Sequence, residues 1–335
     1  MKSTSGVLLI NLGTPDSPSV GDVRSYLFQF LNDPRVIDLP ALLRLILVNL
    51  IIVPFRSFSS AKIYKELWTE EGSPLLLISQ NVAKQLDAEL GDDYQVHLAM
   101  RYKNPNIKDV LEEMRLKNYT RIIVVSMFPQ YASASTGSAY ELVMVVVKNL
   151  WVIPVFRFVG QFYDNPDFLD AIADRASKYD FKEYDHILFS YHGLPDRHVD
   201  KVYKTGLCSD RDCEHELTEE NQYCYKATCY TTTRLIAEKL GLKENDYTVC
   251  FQSRLDKKWL TPFSDKVVEE WGKKGAKKLL VFSPAFTADC LETIIEIGDE
   301  YQEIFEEYGG EKVQLVESLN EHALWIMRLR DLVLK

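Results

Sequence analysis

The sequence predicts an α/β protein made of two doubly wound halves, each built on a four-stranded parallel sheet. Three observations carry that prediction. Apolar residues gather in short continuous runs rather than alternating with polar ones, which marks strands buried on both faces, as parallel sheets covered by helices are. Eight such runs occur, separated by helical stretches. The two halves of the chain also resemble each other piece by piece. With 335 residues, 46% of them hydrophobic and 26% charged, the chain has the length for two cores and the composition of a globular protein.

The first strand is Gly6 to Leu12, followed by the turn Gly13-Thr14-Pro15-Asp16 and a helix around Val20 to Phe30. The later strands are Val96 to Met100, Ile122 to Met127, Val155 to Val159, Ile187 to Tyr191, Tyr247 to Gln252, Leu279 to Ser283 and Val313 to Val316. The repeat shows at the strand ends. Asn11-Leu12-Gly13-Thr14-Pro15 matches His192-Gly193-Leu194-Pro195, Arg101 with Pro105 matches Arg254 with Pro262, and Phe128-Pro129 matches Ser283-Pro284. From arginine to the third-strand proline the separations are 28 and 30 residues. A duplicated domain accounts for this, with halves at 1–160 and 161–318 and a terminal helix at 319–335. Duplication would set strand carboxyl ends from both halves around a cleft.

A net charge of -10 and the absence of any long basic run exclude a nucleic-acid partner. Met1 to Ser5 are polar and lead straight into a strand, so the expectation is a cytoplasmic chain without an export signal. The stretch 39–55, LPALLRLILVNLIIVPF, does not fit a soluble surface, because Arg44 is its one charge. It is short for a bilayer span of about 20 apolar residues, and its prolines shorten it further. Two readings stand: a core helix, or an apolar lip that dips into a membrane interface.

His192 ends the fifth strand and is followed at once by glycine, where open α/β sheets place a ligand crevice. It is the first candidate for chemistry, and the alternative is a satisfied turn residue. If the segment after the seventh strand begins a helix, Asp289, Glu292 and Glu296 share one face and can hold a cation or relay protons. Their alternative is a solvated acidic face. The stretch 128–141, FPQYASASTGSAYE, puts small and hydroxyl residues at a helix start that could grip an anion, but it lacks a P-loop lysine and a dinucleotide fingerprint, which excludes a nucleotide. In the polar loop 205–230, Cys208, Cys213, Cys224 and Cys229 form a C-x4-C-x10-C-x4-C pattern suited to a metal or an iron-sulfur cluster, with free thiols as the alternative. Cys250 lies mid-strand and reads as a core residue.

These motifs, taken in order, resemble the ferrochelatase family: NLGTPDSP at Asn11, MRYKNP at Met100, FPQYASASTG at Phe128, SYHGLP at Ser190, FQSRLDKKWLTP at Phe251 and SPAFTADCLETIIEI at Ser283. The resemblance implies two Rossmann-like, chelatase-like domains around a porphyrin cleft and the insertion of ferrous iron, as substrate, into a porphyrin. It implies that His192 meets the pyrrole nitrogens or the metal, that Glu292 faces it across the macrocycle, and that Asp289 and Glu296 continue a proton or iron path. Leu12, Arg101, Tyr102 and Trp259 would line the porphyrin pocket, with Tyr131 and Ser133 near its mouth. The cysteine loop resembles the cluster sites of certain members, which leaves a 2Fe–2S cluster or a structural metal as its occupant. Cys290 stands where some members have histidine. Leu12 stands where coproporphyrin-using members often have tyrosine, which points to protoporphyrin and, with the apolar lip, to a peripheral membrane contact. The alternatives are a coproporphyrin III ferrochelatase, a chelatase for another tetrapyrrole, or a non-catalytic porphyrin-binding protein.

Overall fold

The computed structural model describes residues 5–335, and residues 1–4 of the polar lead lie outside the described residues. Among the described residues eight strands form: β1 (Ser5–Gly13), β2 (Tyr94–Tyr102), β3 (Arg121–Ser126), β4 (Val155–Phe158), β5 (His186–His192), β6 (Tyr247–Gln252), β7 (Lys278–Phe282) and β8 (Lys312–Leu315). They make two parallel sheets of identical order, β2-β1-β3-β4 and β6-β5-β7-β8. The order reverses beside the first strand of each sheet, between β1 and β3 and between β5 and β7. That is the switch point at which such sheets open a crevice beyond their carboxyl ends.

The chain divides into two compact units, one of Met1–Phe128, Ala132–Gly160 and Ile326–Lys335, the other of Pro129–Tyr131 and Gln161–Trp325. A C-terminal helix forms at Ala323–Leu334, and its residues from Ile326 on belong to the first unit. There, Arg157 donates to the carbonyl of Val333 and Arg330 pairs with Glu89.

Each sheet is buried because its strands are apolar on both faces. Leu8, Ile10, Ile122 and Val124 pack with Ile107, Val110, Leu111 and Met114 of the helix Ile107–Leu116, whose apolar residues recur at helical spacing. In the second unit Leu188, Cys250, Leu279 and Val281 pack with Val267, Val268, Ile297 and Phe305. Cys250 is a core residue, as its mid-strand position predicts. The duplication extends to the backbone. Met100 N–H donates to Pro105 O at 2.6 Å and Phe251 N–H donates to Pro262 O at 2.8 Å.

The glycine that ends β1 and the one that follows β5 are required by close approach. A Cβ on Gly13, at φ +115°, would lie 2.0 Å from the backbone oxygen of Tyr102; one on Gly193 would lie 2.7 Å from that of Gln252.

The apolar stretch after the first helix does not pack as core. Ala41–Leu67 is one continuous helix, long and apolar enough by length and composition to cross a membrane. Leu42, Leu50 and Phe55 on it are 70%, 69% and 77% exposed. Its prolines do not shorten it. Pro40 caps its start, and Pro54 follows a wide-turned segment, Leu47–Ile52, where the ladder already runs from Val53 N–H to Val48 O.

Candidate active site

His192 closes β5 with its ring half-buried. Its Nδ1 lies 2.6 Å from the carbonyl oxygen of Gly193. A carbonyl oxygen only accepts, so the tautomer that fits carries its proton on Nδ1 and leaves Nε2 as the nitrogen with the lone pair. The indole of Trp259 stands 6.5 Å from the imidazole, centroid to centroid. It is held there because Pro195 and Trp259 form an isolated bridge, with Leu260 N–H donating to Leu194 O at 2.9 Å.

Of the three carboxylates after β7, Asp289 and Glu296 are held by different partners, and the three do not form one helical row. Asp289 precedes the helix. Its oxygens accept from Ser318 N–H at 3.1 Å and from Asn320 Nδ2 at 2.6 Å, which binds it to the segment after β8. Glu292 begins a wide-turned helical segment, Glu292–Glu300, that continues as Tyr301–Glu307. Glu296, four residues on, accepts from Ser253 N–H at 2.8 Å, from Ser253 Oγ at 2.5 Å and from Gln252 Nε2 at 3.2 Å. Gln252 Nε2 also donates to the carbonyl of Glu292 at 2.9 Å, while Gln252 is the β-partner of His192. One amide side chain thus joins the strand beside the imidazole to the turn that carries Glu292. Cys290 is buried, which pushes its thiol well up, as do the carboxylates of Glu292 and Asp289 beside it. It is a neutral thiol, not a base.

In the first unit, Leu12 and Arg101 are partly exposed at the ends of β1 and β2. Tyr102 is 1% exposed and gives its hydroxyl to Asp33 at 2.9 Å, so it supports Arg101 from below with its ring 4.5 Å from the guanidinium. Burial pushes the Tyr102 phenol far up, which keeps it a donor. The helix start at 128–141 is not an open anion cradle. The amides of Ser135 and Gly137 are satisfied by Ala132 O, and Ser133 and Ser138 bond Arg35 and Arg101. Tyr131 belongs to the second unit and packs edge-on against Tyr223 of the cysteine loop, with centroids 5.8 Å apart. Sequence reasoning missed Gln252, Ser253, Asn320, Asp33 and Ser138, whose roles lie in hydrogen bonds to residues distant in the chain.

The sequence profile of the family described as Ferrochelatase matches residues 4–335. The chain belongs to the ferrochelatase family. Two similar proteins are the Ferrochelatase of Legionella pneumophila (strain Lens), 44% identical over 98% of each chain, and that of Coxiella burnetii (strain Dugway 5J108-111), 43% identical over 98% of this chain and 93% of the relative. Among solved structures, SirB from Bacillus subtilis with Fe3+ is similar in fold, with a TM-score of 0.54 at 11% identity over 98% of this chain and 96% of that one.

Within this ferrochelatase-family chain the cysteine loop forms a compact thiol group. The Sγ atoms of Cys208, Cys213 and Cys224 all lie within 4.8 Å of one another. Cys208 is 3.7 Å from Cys213 and 3.6 Å from Cys224. Tyr203 donates its hydroxyl to Cys213 at 3.1 Å and Asn221 donates its amide at 3.8 Å. Hydrogen bonds from Cys208 and Cys224, with smaller help from Tyr203 and Asn221, pull the Cys213 thiol down, while the same bonds push the Cys208 thiol up, so the group shares its charge with Cys213 as the first to ionise. Cys229, the fourth cysteine of the pattern, is not in this group. It is fully buried in the helix Tyr225–Leu240, and burial pushes its thiol well up. The sequence spacing treats all four cysteines alike, but the fourth sits inside a packed helix. Three cysteine sulfurs gathered this closely fit three positions of a metal or cluster bound through thiolates.

Proposed function

We propose that this chain inserts ferrous iron into protoporphyrin IX, forming protohaem and releasing two protons. The observation that carries the reading is the fixed tautomer of His192 at the switch point of the second sheet. A free porphyrin has two N–H protons in a plane closed to a hydrated cation. Insertion therefore needs a base, a bent ring and a route for iron. Nε2 of neutral His192 takes a pyrrole proton, and Glu292 supplies a carboxylate for iron or for the second proton. Glu296 and Asp289 stand on either side of it in the chain, each anchored by neutral donors. Trp259, Leu12 and Arg101 contact the macrocycle, with Tyr102 behind Arg101 and with Tyr131 and Ser133 at the margin.

An anaerobic insertion assay tests this, offering ferrous iron and cobalt against protoporphyrin, coproporphyrin and sirohydrochlorin. Rapid loading of iron into protoporphyrin is the expected result. Faster loading of coproporphyrin, or of cobalt into sirohydrochlorin, would reassign the substrate, and porphyrin binding without iron uptake would make the chain a binding protein.

The exposed apolar face of Ala41–Leu67 supports a cytoplasmic location with peripheral membrane contact, suited to a poorly soluble substrate. Replacing Leu42, Leu50 and Phe55 with serine should abolish co-sedimentation with vesicles and leave the fold intact by circular dichroism. Sedimentation equal to that of the parent chain would remove the contact.

The cysteine loop would hold a 2Fe–2S cluster or a structural metal through Cys208, Cys213 and Cys224, and would supply rigidity or redox sensitivity there. Serine at any of the three should remove bound metal from anaerobically purified protein, measured by metal analysis and absorption. Cys229→Ser should retain it, and loss of metal in that variant would make Cys229 a ligand.

A further inference from the structure

We infer that Asp33 is a positioning residue of the reaction, one that acts through Arg101 by fixing its guanidinium and cancelling its charge. The inference rests on the proposed contact between Arg101 and the porphyrin. Asp33 lies in the short turn between the helix Val20–Leu31 and the apolar helix, and its side chain is 2% exposed. A carboxylate so buried is costly unless paired and hydrogen-bonded.

Asp33 is both. Its Oδ2 accepts from Arg101 Nη2 at 2.5 Å, from Ser138 Oγ at 2.5 Å and from Tyr102 Oη at 2.9 Å, and its Oδ1 accepts from the Arg35 amide at 2.7 Å. Ser138 Oγ in turn accepts from Arg101 Nε at 2.6 Å, which closes a ring of three side chains. The guanidinium is held along its Nε–Nη2 edge and stacked on Tyr102, so the donors of Nη1 are left for a ligand in one fixed orientation. The same turn reaches a second candidate residue. Arg35 donates from Nη1 to Ser133 Oγ at 2.8 Å and from Nε to Glu141 at 2.7 Å.

The charge matters as much as the aim. Iron insertion brings a dication to the ligand that Arg101 touches, and a bare guanidinium there would oppose it. Pairing with Asp33 removes that opposition and keeps the N–H donors. The substitution Asp33→Asn keeps the size and an acceptor oxygen but frees the charge.

The test measures kcat and both Michaelis constants for the parent chain, Asp33→Asn, Arg101→Gln and the double variant. Asp33→Asn should raise KM for ferrous iron about tenfold at low ionic strength, with the rise shrinking as salt is added. In the Arg101→Gln background it should have no further effect. If Asp33→Asn leaves the iron KM unchanged while Arg101→Gln alters the kinetics, the inference is overturned. It is overturned equally if the effect of Asp33→Asn persists undiminished without Arg101. If Arg101→Gln behaves as the parent in every constant, the porphyrin contact itself is what fails. Should Asp33→Asn not fold, Ser138→Ala tests the aim alone, because it opens the ring but leaves the charge pair. Its expected result is a porphyrin KM raised severalfold with the iron KM held, and an unchanged porphyrin KM would overturn the positioning role.

Discussion

The two units share one sheet order and one pattern of strand ends, yet they differ in what they place there. At the end of β1 stand Leu12 and Gly13; at the end of β5 stand His192 and Gly193. After β3 come hydroxyl residues that bond arginines, and after β7 come Asp289, Glu292 and Glu296. The arginines diverge as well. Arg101 is paired with a buried Asp33, whereas Arg254 is paired with a part-exposed Asp265 eleven residues along its own half. Duplication fixed where side chains can stand, and the groups able to exchange protons or hold a cation accumulated in the second unit. The first unit kept apolar and charge-cancelled residues, which suit binding.

The sharpest way to break this contrast is to strip each first-strand end. His192→Ala should lower kcat about 10³-fold or more, the loss of a positioned base, while porphyrin binding stays measurable by fluorescence quenching. Leu12→Ala should change kcat less than about threefold and act mainly on the porphyrin KM, as uniform binding energy does. Equal losses in kcat at the two positions would end the division between a chemical and a binding half.

Next in size are the two glycines, where the comparison concerns stability. Gly13→Ala combines positive φ with an overlap against backbone and should cost about 4 kcal/mol in chemical denaturation. Gly193→Ala has the looser contact and should cost about 2 kcal/mol. A larger loss at Gly193 would mean that the second unit tolerates less at its switch point than the distances indicate.

An effect no larger than that at Gly193 lies at the feet of the first strands. His186 opens β5 with its ring stacked on Trp271 at 3.8 Å, and Ser5 opens β1 without a titrating group. Burial, with Lys274 adding to it, pushes the His186 imidazole down to about 4. Below its ordinary value near 6.5 the unfolded chain binds a proton that the folded chain refuses, so stability falls as pH drops from about 6.5 toward 4. The loss should be about 2 kcal/mol across that window, and His186→Gln should flatten it in pH-dependent denaturation. A slope unchanged in the variant would place the acid sensitivity elsewhere.

Much of this was legible in the residues. Continuous runs such as Val7 to Ile10 reported burial on both faces, and the repeated glycine and proline positions reported the duplicated sheet. The place of His192 at a strand end was legible because an apolar run that stops at a glycine marks one. Glu292 was legible as an acidic residue after a strand, but the shared helical face was not there, because Asp289 precedes the helix and the turns beyond it are wide. Asn320 and Asp33 were invisible because their partners are 31 and 68 residues away, and spacing carries no signal at that range. The cysteine pattern likewise named four ligands where three gather, since spacing says nothing of a helix packing around the fourth.

The amide of Gln252 has a consequence for motion. It belongs to the strand paired with His192, and it bonds both the carbonyl of Glu292 and the carboxylate of Glu296. The strand end that carries His192 and the acidic turn are therefore tied together through one side chain. Thermal fluctuation can shift the two backbone segments together, but separating them breaks the bonds that Gln252 makes. Whatever opens to admit a macrocycle and let it go must hinge outside that clamp, and slow hydrogen exchange should mark the clamp's backbone as the stiffest part of its sheet edge.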